Sequence, residues 1–304
     1  MRNFTLSLLA SMLSIVTWAQ VLKVESVEKL PVPRSSATAQ VAAISQAGDY
    51  LLLCSQAQEG LVKWDLSRDT GNMLTTARGA GFNTQISDDG DIVAFQEVTM
   101  GQDRLLLRSV HAIDINTGIK QMIAAPSREL QGFELDNGSI TTVVDNMISY
   151  HPLSESHNAT PRPVVSNSNL KLMLTINGAT RQFTPNGEQY TYIWASVSPN
   201  AERVLYYVSE LGCYSCRLDG SDMIKLGDLR APQWLDDNTV VGMRDRDNGI
   251  TFTESKIIAM ALDGTEQELT SDDYIALYPH VARNAQKIAF STLDGDIYII
   301  NYTK

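Results

Sequence analysis

A unit made of a short apolar strand, a polar turn and a second apolar strand recurs along this chain, and the recurrence constrains the fold more than any other feature. It reads Ala42-Ala43-Ile44-Ser45-Gln46-Ala47-Gly48 before 50–53, and Gln85-Ile86-Ser87-Asp88-Asp89-Gly90 before 92–95. It returns as Phe133-Glu134-Leu135-Asp136-Asn137-Gly138, Val197-Ser198-Pro199-Asn200, Trp234-Leu235-Asp236-Asp237-Asn238 and Val281-Ala282-Arg283-Asn284, each ahead of another apolar run. The anchor positions 44, 86, 133, 197, 234 and 281 are spaced by 42, 47, 64, 37 and 47 residues. A period of ~40–50 residues is that of one four-stranded propeller blade. The gap of 64 falls short of two such blades, so it reads as one blade with an insertion at about 146–169.

A second signal follows downstream in most units: a strand, then a tight turn such as Asn177-Gly178, Asp219-Gly220 or Asp263-Gly264. Asn-Gly and Asp-Gly tolerate the positive φ that two-residue hairpins need. The expected fold is therefore all-β, a six-bladed β-propeller occupying 20–304 as one domain. Only four residues follow Ile297-Tyr298-Ile299-Ile300, so the last blade lacks an outer strand of its own. Residues 21–30, which precede Pro31, are expected to supply that strand; closing the ring removes an exposed edge.

Residues 1–19 read as an export signal. Arg2 gives the positive start, 4–16 are apolar apart from small polar residues, and Thr17-Trp18-Ala19 offers a small residue for cleavage. The apolar run is short of the ~20 residues that span a bilayer. Removal of these nineteen residues from 304 leaves 285, with no span of membrane length expected after cleavage. The protein is expected to be exported, to the periplasm or the cell exterior. Cys213 and Cys216 stand three apart in an alternating, strand-like run, which puts their side chains on opposite faces ~10 Å apart at Cα. A disulfide tolerates at most ~7 Å, so these are expected to be packed thiols. The net charge of −11 argues against a protein that grips nucleic acid through phosphates.

The runs Ala231-Pro232-Gln233-Trp234-Leu235-Asp236-Asp237-Asn238 and Tyr278-Pro279-His280-Val281, with Lys287-Ile288-Ala289-Phe290-Ser291 and Asp294-Gly295-Asp296-Ile297-Tyr298, resemble the WD40-like (PD40) repeats of TolB-type six-bladed propellers. The resemblance covers most of 20–304. It implies the propeller fold strongly and an activity hardly at all, because similar propellers serve as periplasmic scaffolds, peptidase companions and polysaccharide-degrading enzymes.

Loops that vary over a rigid scaffold are where binding resides. Here those are the connectors between blades and the loops between second and third strands, on one rim. They contribute Tyr190, Tyr192, Asp245, Asp247 and, within 146–169, His151 and His157. The residue before each anchor gives a further row, from which Gln85, Gln233 and His280 are expected to converge on the channel mouth. Polar groups there also have a plain use, bonding neighbouring backbone or channel water. No G-x-S-x-G elbow and no HExxH is present. The expectation is a monomeric, non-catalytic binding or scaffold protein of the cell envelope. It would need no cofactor and would engage a protein or glycan through the loop-rich rim. The alternative, which the resemblance permits, is a polysaccharide lyase-like enzyme with a metal held near Gln85, Gln233 and His280.

Overall fold

Second strands such as Tyr50–Cys54 and Arg203–Val208 are apolar along almost their whole length. A strand covered on both faces has no solvent side on which to place polar residues. Stacking blades face to face around an axis provides that double cover. In the computed structural model, residues 20–136, 138–153 and 162–304 are described, and they form seven antiparallel sheets rather than six. Blade one is Gln40–Ile44, Tyr50–Cys54, Leu61–Asp65 and Thr70–Thr75; blade two is Gln85–Ile86, Ile92–Met100, Leu106–Asp114 and Lys120–Ser127. Blade three is Leu130–Asp136, Ser139–Val144 and Met147–Pro152, and blade four is Val164–Ser168, Lys171–Ile176 and Ala179–Phe183. Blade five is Tyr192–Val197, Arg203–Val208, Gly212–Arg217 and Ile224–Lys225, and blade six is Arg230–Trp234, Thr239–Asp247, Phe252–Ala261 and Glu266–Glu268. Blade seven joins Ala276–Ala282, Lys287–Thr292 and Ile297–Thr303 to the N-terminal strand Lys23–Lys29.

The six-blade count is thus corrected to seven, and the reason lies in strand number. Among the described residues the 64-residue gap holds two blades of three strands each, not one blade with an insertion. Residues 146–169 contain the third strand of blade three and the inner strand of blade four. Three-stranded blades also come as a pair for a topological reason. Each strand carries the chain from one rim to the other, so a four-stranded blade returns it to the rim of entry and a three-stranded blade does not. Blade three ends on the lower rim, where the Leu153 N–H bonds the Gly138 carbonyl at 2.7 Å. Arg162 opens blade four on that same rim, donating to the Ser198 and Pro199 carbonyls of the first turn in blade five. The inner strand of blade four therefore runs opposite to the other six. Its turn at Asn169-Leu170 reaches the upper rim, where the Tyr192 N–H bonds the Leu170 carbonyl at 2.9 Å. A second three-stranded blade then restores the original direction.

Apolar clusters fill six of the seven seams. They centre on Leu51, Phe95, Phe133, Tyr206, Trp234 and Phe290, all buried. The seam between blades three and four has a different lining. Strand alternation turns Thr141, Ser166 and Thr175 toward it beside Val143 and Val164, and all five are buried. Here the inner strands also approach so closely that a Cβ on Gly132 would lie 2.8 Å from the Ser166 Cβ.

Blade seven is closed by the N-terminal strand, whose Lys23 to Lys29 pair antiparallel with Thr303 to Tyr298. Just ahead of it, Val21 and Leu22 donate backbone N–H groups to the Gln267 side chain of blade six, both at 2.9 Å. At its other end Lys29 and Arg34 both grip Asp296. Cys213 and Cys216 lie on one strand as free, buried thiols, and Cys54 is free and buried too. Among the described residues no helix is long and apolar enough to cross a membrane. The expected export signal, 1–19, lies outside the described residues.

Candidate functional site

The inner strands of blades five, six and seven each break their ladder at the same place. Register shifts fall between Ile193 and Ser196, between Arg230 and Gln233, and between Leu277 and His280. Each bulge contains one residue in the left-handed region: Trp194 at φ 51°, Ala231 at φ 45° and Tyr278 at φ 52°. Bulges re-aim side chains and collect beside active sites, and a bulky residue at positive φ costs of order 1–3 kcal/mol. The aromatic rings of Trp194 and Tyr278 are therefore held in place at a cost.

Trp194 forms one wall of a groove of about 760 Å³ on the upper rim, between blades five and six. The residue is 39% exposed, and its ring meets the Tyr207 ring edge-on, centroids 5.4 Å apart. Tyr207 donates its hydroxyl to Asp228 at 2.9 Å, and burial raises the phenol pKa above its usual value. Ser209, Glu210, Lys225 and Arg230 complete the polar lining. The turn that shapes the groove depends on glycine: Gly212 sits at φ 100°, and a Cβ there would lie 2.4 Å from the Gly227 carbonyl oxygen.

Behind the groove, Arg230 reaches from the bulge to Asp245 at 2.8 Å, with Asp247 at 3.9 Å. The Asp245 side chain has no accessible surface, and its Oδ1 has no hydrogen-bond partner among the described residues. Burial raises the Asp245 pKa above the ordinary carboxylate value, and Arg230 opposes that rise. Four carboxylates (Glu210, Asp228, Asp245 and Asp247) face two cations in this neighbourhood. The site is aromatic and net acidic. It suits a ligand that brings hydroxyls or positive charge, and it repels polyanions.

Of the residues picked from sequence, Asp245 and Asp247 belong to this cluster. Tyr192 does not, and its expected role as a ligand contact is corrected: it is fully buried and donates its hydroxyl to the Gly187 carbonyl at 2.9 Å while accepting from the Asn186 N–H. Tyr190 packs against the same core, half-buried, with its carbonyl bonded by Lys171. His151 stands on the third strand of blade three rather than in a loop, bonded through Nε2 to Thr142 Oγ1 at 3.0 Å, and burial lowers its pKa. His157 lies outside the described residues.

Gln85 is occupied as a latch between blades: its Nε2 donates to the Phe133 carbonyl at 3.1 Å, and its Oε1 accepts from the Leu135 N–H at 2.6 Å. Gln233 and His280 are half-buried on inner strands of neighbouring blades. Burial lowers the His280 pKa to about 4, against a hydrogen bond to the Val41 backbone that raises it. His280 is thus neutral at physiological pH. Among the described residues no group of three or more His, Cys, Asp or Glu is placed to hold a metal ion.

One Ser–His–Glu contact exists and is no nucleophilic triad. Ser109 Oγ and Glu97 Oε2 both approach the same nitrogen, His111 Nε2, at 3.0 and 3.4 Å, and Ser109 is buried. A triad needs the carboxylate on the other ring nitrogen.

Sequence reasoning missed Tyr207, Asp228 and Arg230. The available signal was the pair of residues ahead of each Pro-x-anchor run, Arg230-Ala231 and Leu277-Tyr278, which mark the bulge.

No protein-family model and no curated protein matches the chain. Solved structures do. The β-propeller domain of Myceliophteria thermophila Cps50 (Swd1) is similar at 13% identity over 92% of this chain and 100% of that one, with a TM-score of 0.57. A chain of the mitotic checkpoint complex is similar at 10% identity over 100% and 99%, also at 0.57. An oligogalacturonate lyase of Vibrio parahaemolyticus matches at 14% identity over 85% and 76%, with a TM-score of 0.46. At these identities the likeness shows the fold alone: this chain is a β-propeller.

Proposed function

We propose that this protein is an exported, non-catalytic binding propeller of the cell envelope, of the TolB-like kind. In this reading it holds a protein or glycan partner in the groove between blades five and six. The observation that carries the reading is Trp194: a large ring kept at positive φ, half out in solvent, above a tyrosine and a net-acidic wall. Aromatic anchors offer contact area at low entropic cost, and a strained backbone is retained where it positions a functional group. The surrounding carboxylates favour basic or hydroxyl-rich partners.

The test is capture of partners from an envelope extract by the immobilised protein, compared with Trp194→Gly. Glycine suits the positive φ, so the variant is expected to melt no lower than the parent and to lose the captured partner. Undiminished capture by Trp194→Gly refutes the groove as the working surface.

A further inference from the structure

The groove between blades five and six comes from unequal hairpins. In blade five the second and third strands have six residues each and are joined by the short turn Ser209-Glu210-Leu211. In blade six the corresponding strands have nine and ten residues, so that hairpin stands above its neighbour on the upper rim. The outer strand of blade five is only Ile224–Lys225, which gives the groove a low outer wall.

The cations around this groove are already engaged. Arg230 is held by Asp245 at 2.8 Å. Arg244 lies along Glu266 with two bonds of 2.7 Å, and Arg246 stands 3.6 Å from Glu254. Lys225 directs its ammonium to the other face of blade five: Nζ lies 5.9 Å from the centre of the Tyr214 ring, which packs in the core shared with blade four. Tyr207, by contrast, packs in the core shared with blade six. Asp228 and Glu210 are left. Both line the groove, both are exposed, and neither is in an ion pair among the described residues.

Asp228 accepts the Tyr207 hydroxyl on Oδ1, which fixes the carboxylate beside the aromatic pair. Burial raises the Asp245 pKa, Arg230 opposes the rise, and the negative charges of Asp228 and Asp247 add to it. The carboxylates therefore crowd one another. The Trp194 and Tyr207 planes meet at 73°, close to a right angle, and so form a two-walled corner. The face of an aromatic ring attracts a cation, and indole does so best. Ile193 and Leu211, both half-buried, give the groove an apolar stretch. Glu210 stands at φ 69°, as Trp194 stands at φ 51°, in a region that favours glycine or asparagine. Two bulky residues of one groove thus carry a backbone cost.

On the reading that this groove is the working surface, we infer that its occupant is a lysine side chain on an exposed segment of a protein partner. The alkyl stem lies along Ile193 and Leu211, and the ammonium group sits in the corner of Trp194 and Tyr207 against Asp228 and Glu210. Lysine matches all three parts of the site, being a compact cation on a flexible apolar stem. A neutral glycan would stack on the indole but leave both carboxylates uncompensated. An anionic glycan would be repelled by them.

The probes are capped hexapeptides, identical except for a central lysine, norleucine or glutamate, and cellohexaose, each titrated into the millimolar range. Trp194 reports binding through its emission, since Trp64 and Trp234, the other tryptophans among the described residues, are buried. The lysine peptide is expected to shift that emission saturably, and added salt to weaken it. The norleucine peptide, which keeps the stem and lacks the charge, is expected to bind about tenfold more weakly, the scale of one charge-assisted contact. Asp228→Asn still offers an oxygen to Tyr207, so it is expected to melt with the parent and to lose lysine-peptide affinity by about the same factor. A lysine peptide without a saturable shift, a norleucine peptide that binds as tightly, or Asp228→Asn with unchanged affinity overturns the proposal. Binding of cellohexaose in place of the lysine peptide also overturns it, while leaving the groove as the working surface. The groove reading itself fails by a separate result, undiminished partner capture by Trp194→Gly.

Discussion

Replacing Arg230 by methionine keeps the packing of the long side chain and removes the guanidinium. Asp245 is then left as a carboxylate with no accessible surface and no partner on either oxygen. Breaking a buried ion pair from one side costs ~3–5 kcal/mol. Arg230 is itself one-third exposed, so part of its attraction is already screened, and the exposed Asp247 at 3.9 Å adds little. The lower figure, about 3 kcal/mol, is therefore expected at neutral pH, or a fall of about 6 °C in Tm at roughly 2 °C per kcal/mol for a chain of this size. The double variant Arg230→Met/Asp245→Asn removes the stranded charge and should regain most of that loss.

The pH dependence has a definite sign. A carboxyl with a folded-state pKa above its unfolded value binds protons more readily in the folded state, so stability falls as pH rises through the window between the two. Asp245 is raised by burial, with Arg230 opposing; removing Arg230 raises it further and extends the window upward. The deficit of Arg230→Met should thus be largest near pH 7 and shrink as the medium is acidified toward the unfolded carboxylate value, read as urea midpoints at several pH values. A deficit independent of pH, or a double variant no more stable than the single one, refutes the account of Asp245 as a buried charge held by Arg230.

Two further outcomes follow from the closure of the ring and its seams. Deleting 20–30 should lower Tm by well over 10 °C, because six strand pairings and the buried Leu22 are lost with it; in the intact protein the Asp296 pKa is lowered to about 2, chiefly by Arg34 and then by Lys29, so the stability those contacts add is present above pH 4 and fades between about pH 4 and pH 2. Gln85→Ala should cost about 2 kcal/mol in chemical denaturation, since it leaves the Leu135 N–H and Phe133 carbonyl of the next blade unpaired, and an unchanged midpoint would show that water replaces the latch.

The propeller itself was legible because its signal is periodic. Anchors such as Ile44, Ile86 and Val281 recur with a turn behind them, and the pattern follows from burying a strand between two neighbouring blades. The count was not legible, because a period of ~40–50 residues presumes four strands in each blade. Blade four hid for a further reason: its chain enters from the opposite rim, so the run Val164-Val165-Ser166 is followed by the two-residue turn Asn169-Leu170 rather than by the longer polar turn of its neighbours. Asn177-Gly178 reads in the sequence as a tight hairpin turn, and it joins the second strand of blade four to the third. In the groove, Asp245 and Asp247 were legible as acidic residues of a long hairpin. Arg230 was not: the pair Arg230-Ala231 ahead of Pro232 marks the bulge, but nothing in it announces the reach of the guanidinium to Asp245.

That last point separates what the fold needs from what a ligand uses. Blades five, six and seven carry the same bulge, so the three residues at positive φ are internal controls for one another. Ala231 fills the position in blade six, buried, with a side chain that only just extends past the backbone; the bulge therefore demands no aromatic ring. Tyr278 has a packing role, since it is half-buried against the core shared by blades six and seven. Trp194 has much less of one. It leaves 39% of its surface in solvent and touches Tyr207 only by an edge, while bearing the same backbone cost as Tyr278 with less burial to offset it. A glycine or alanine there would satisfy the bulge, and a polar side chain would satisfy the solvent. An exposed indole satisfies neither, and that is why the proposed function puts the partner contact at Trp194.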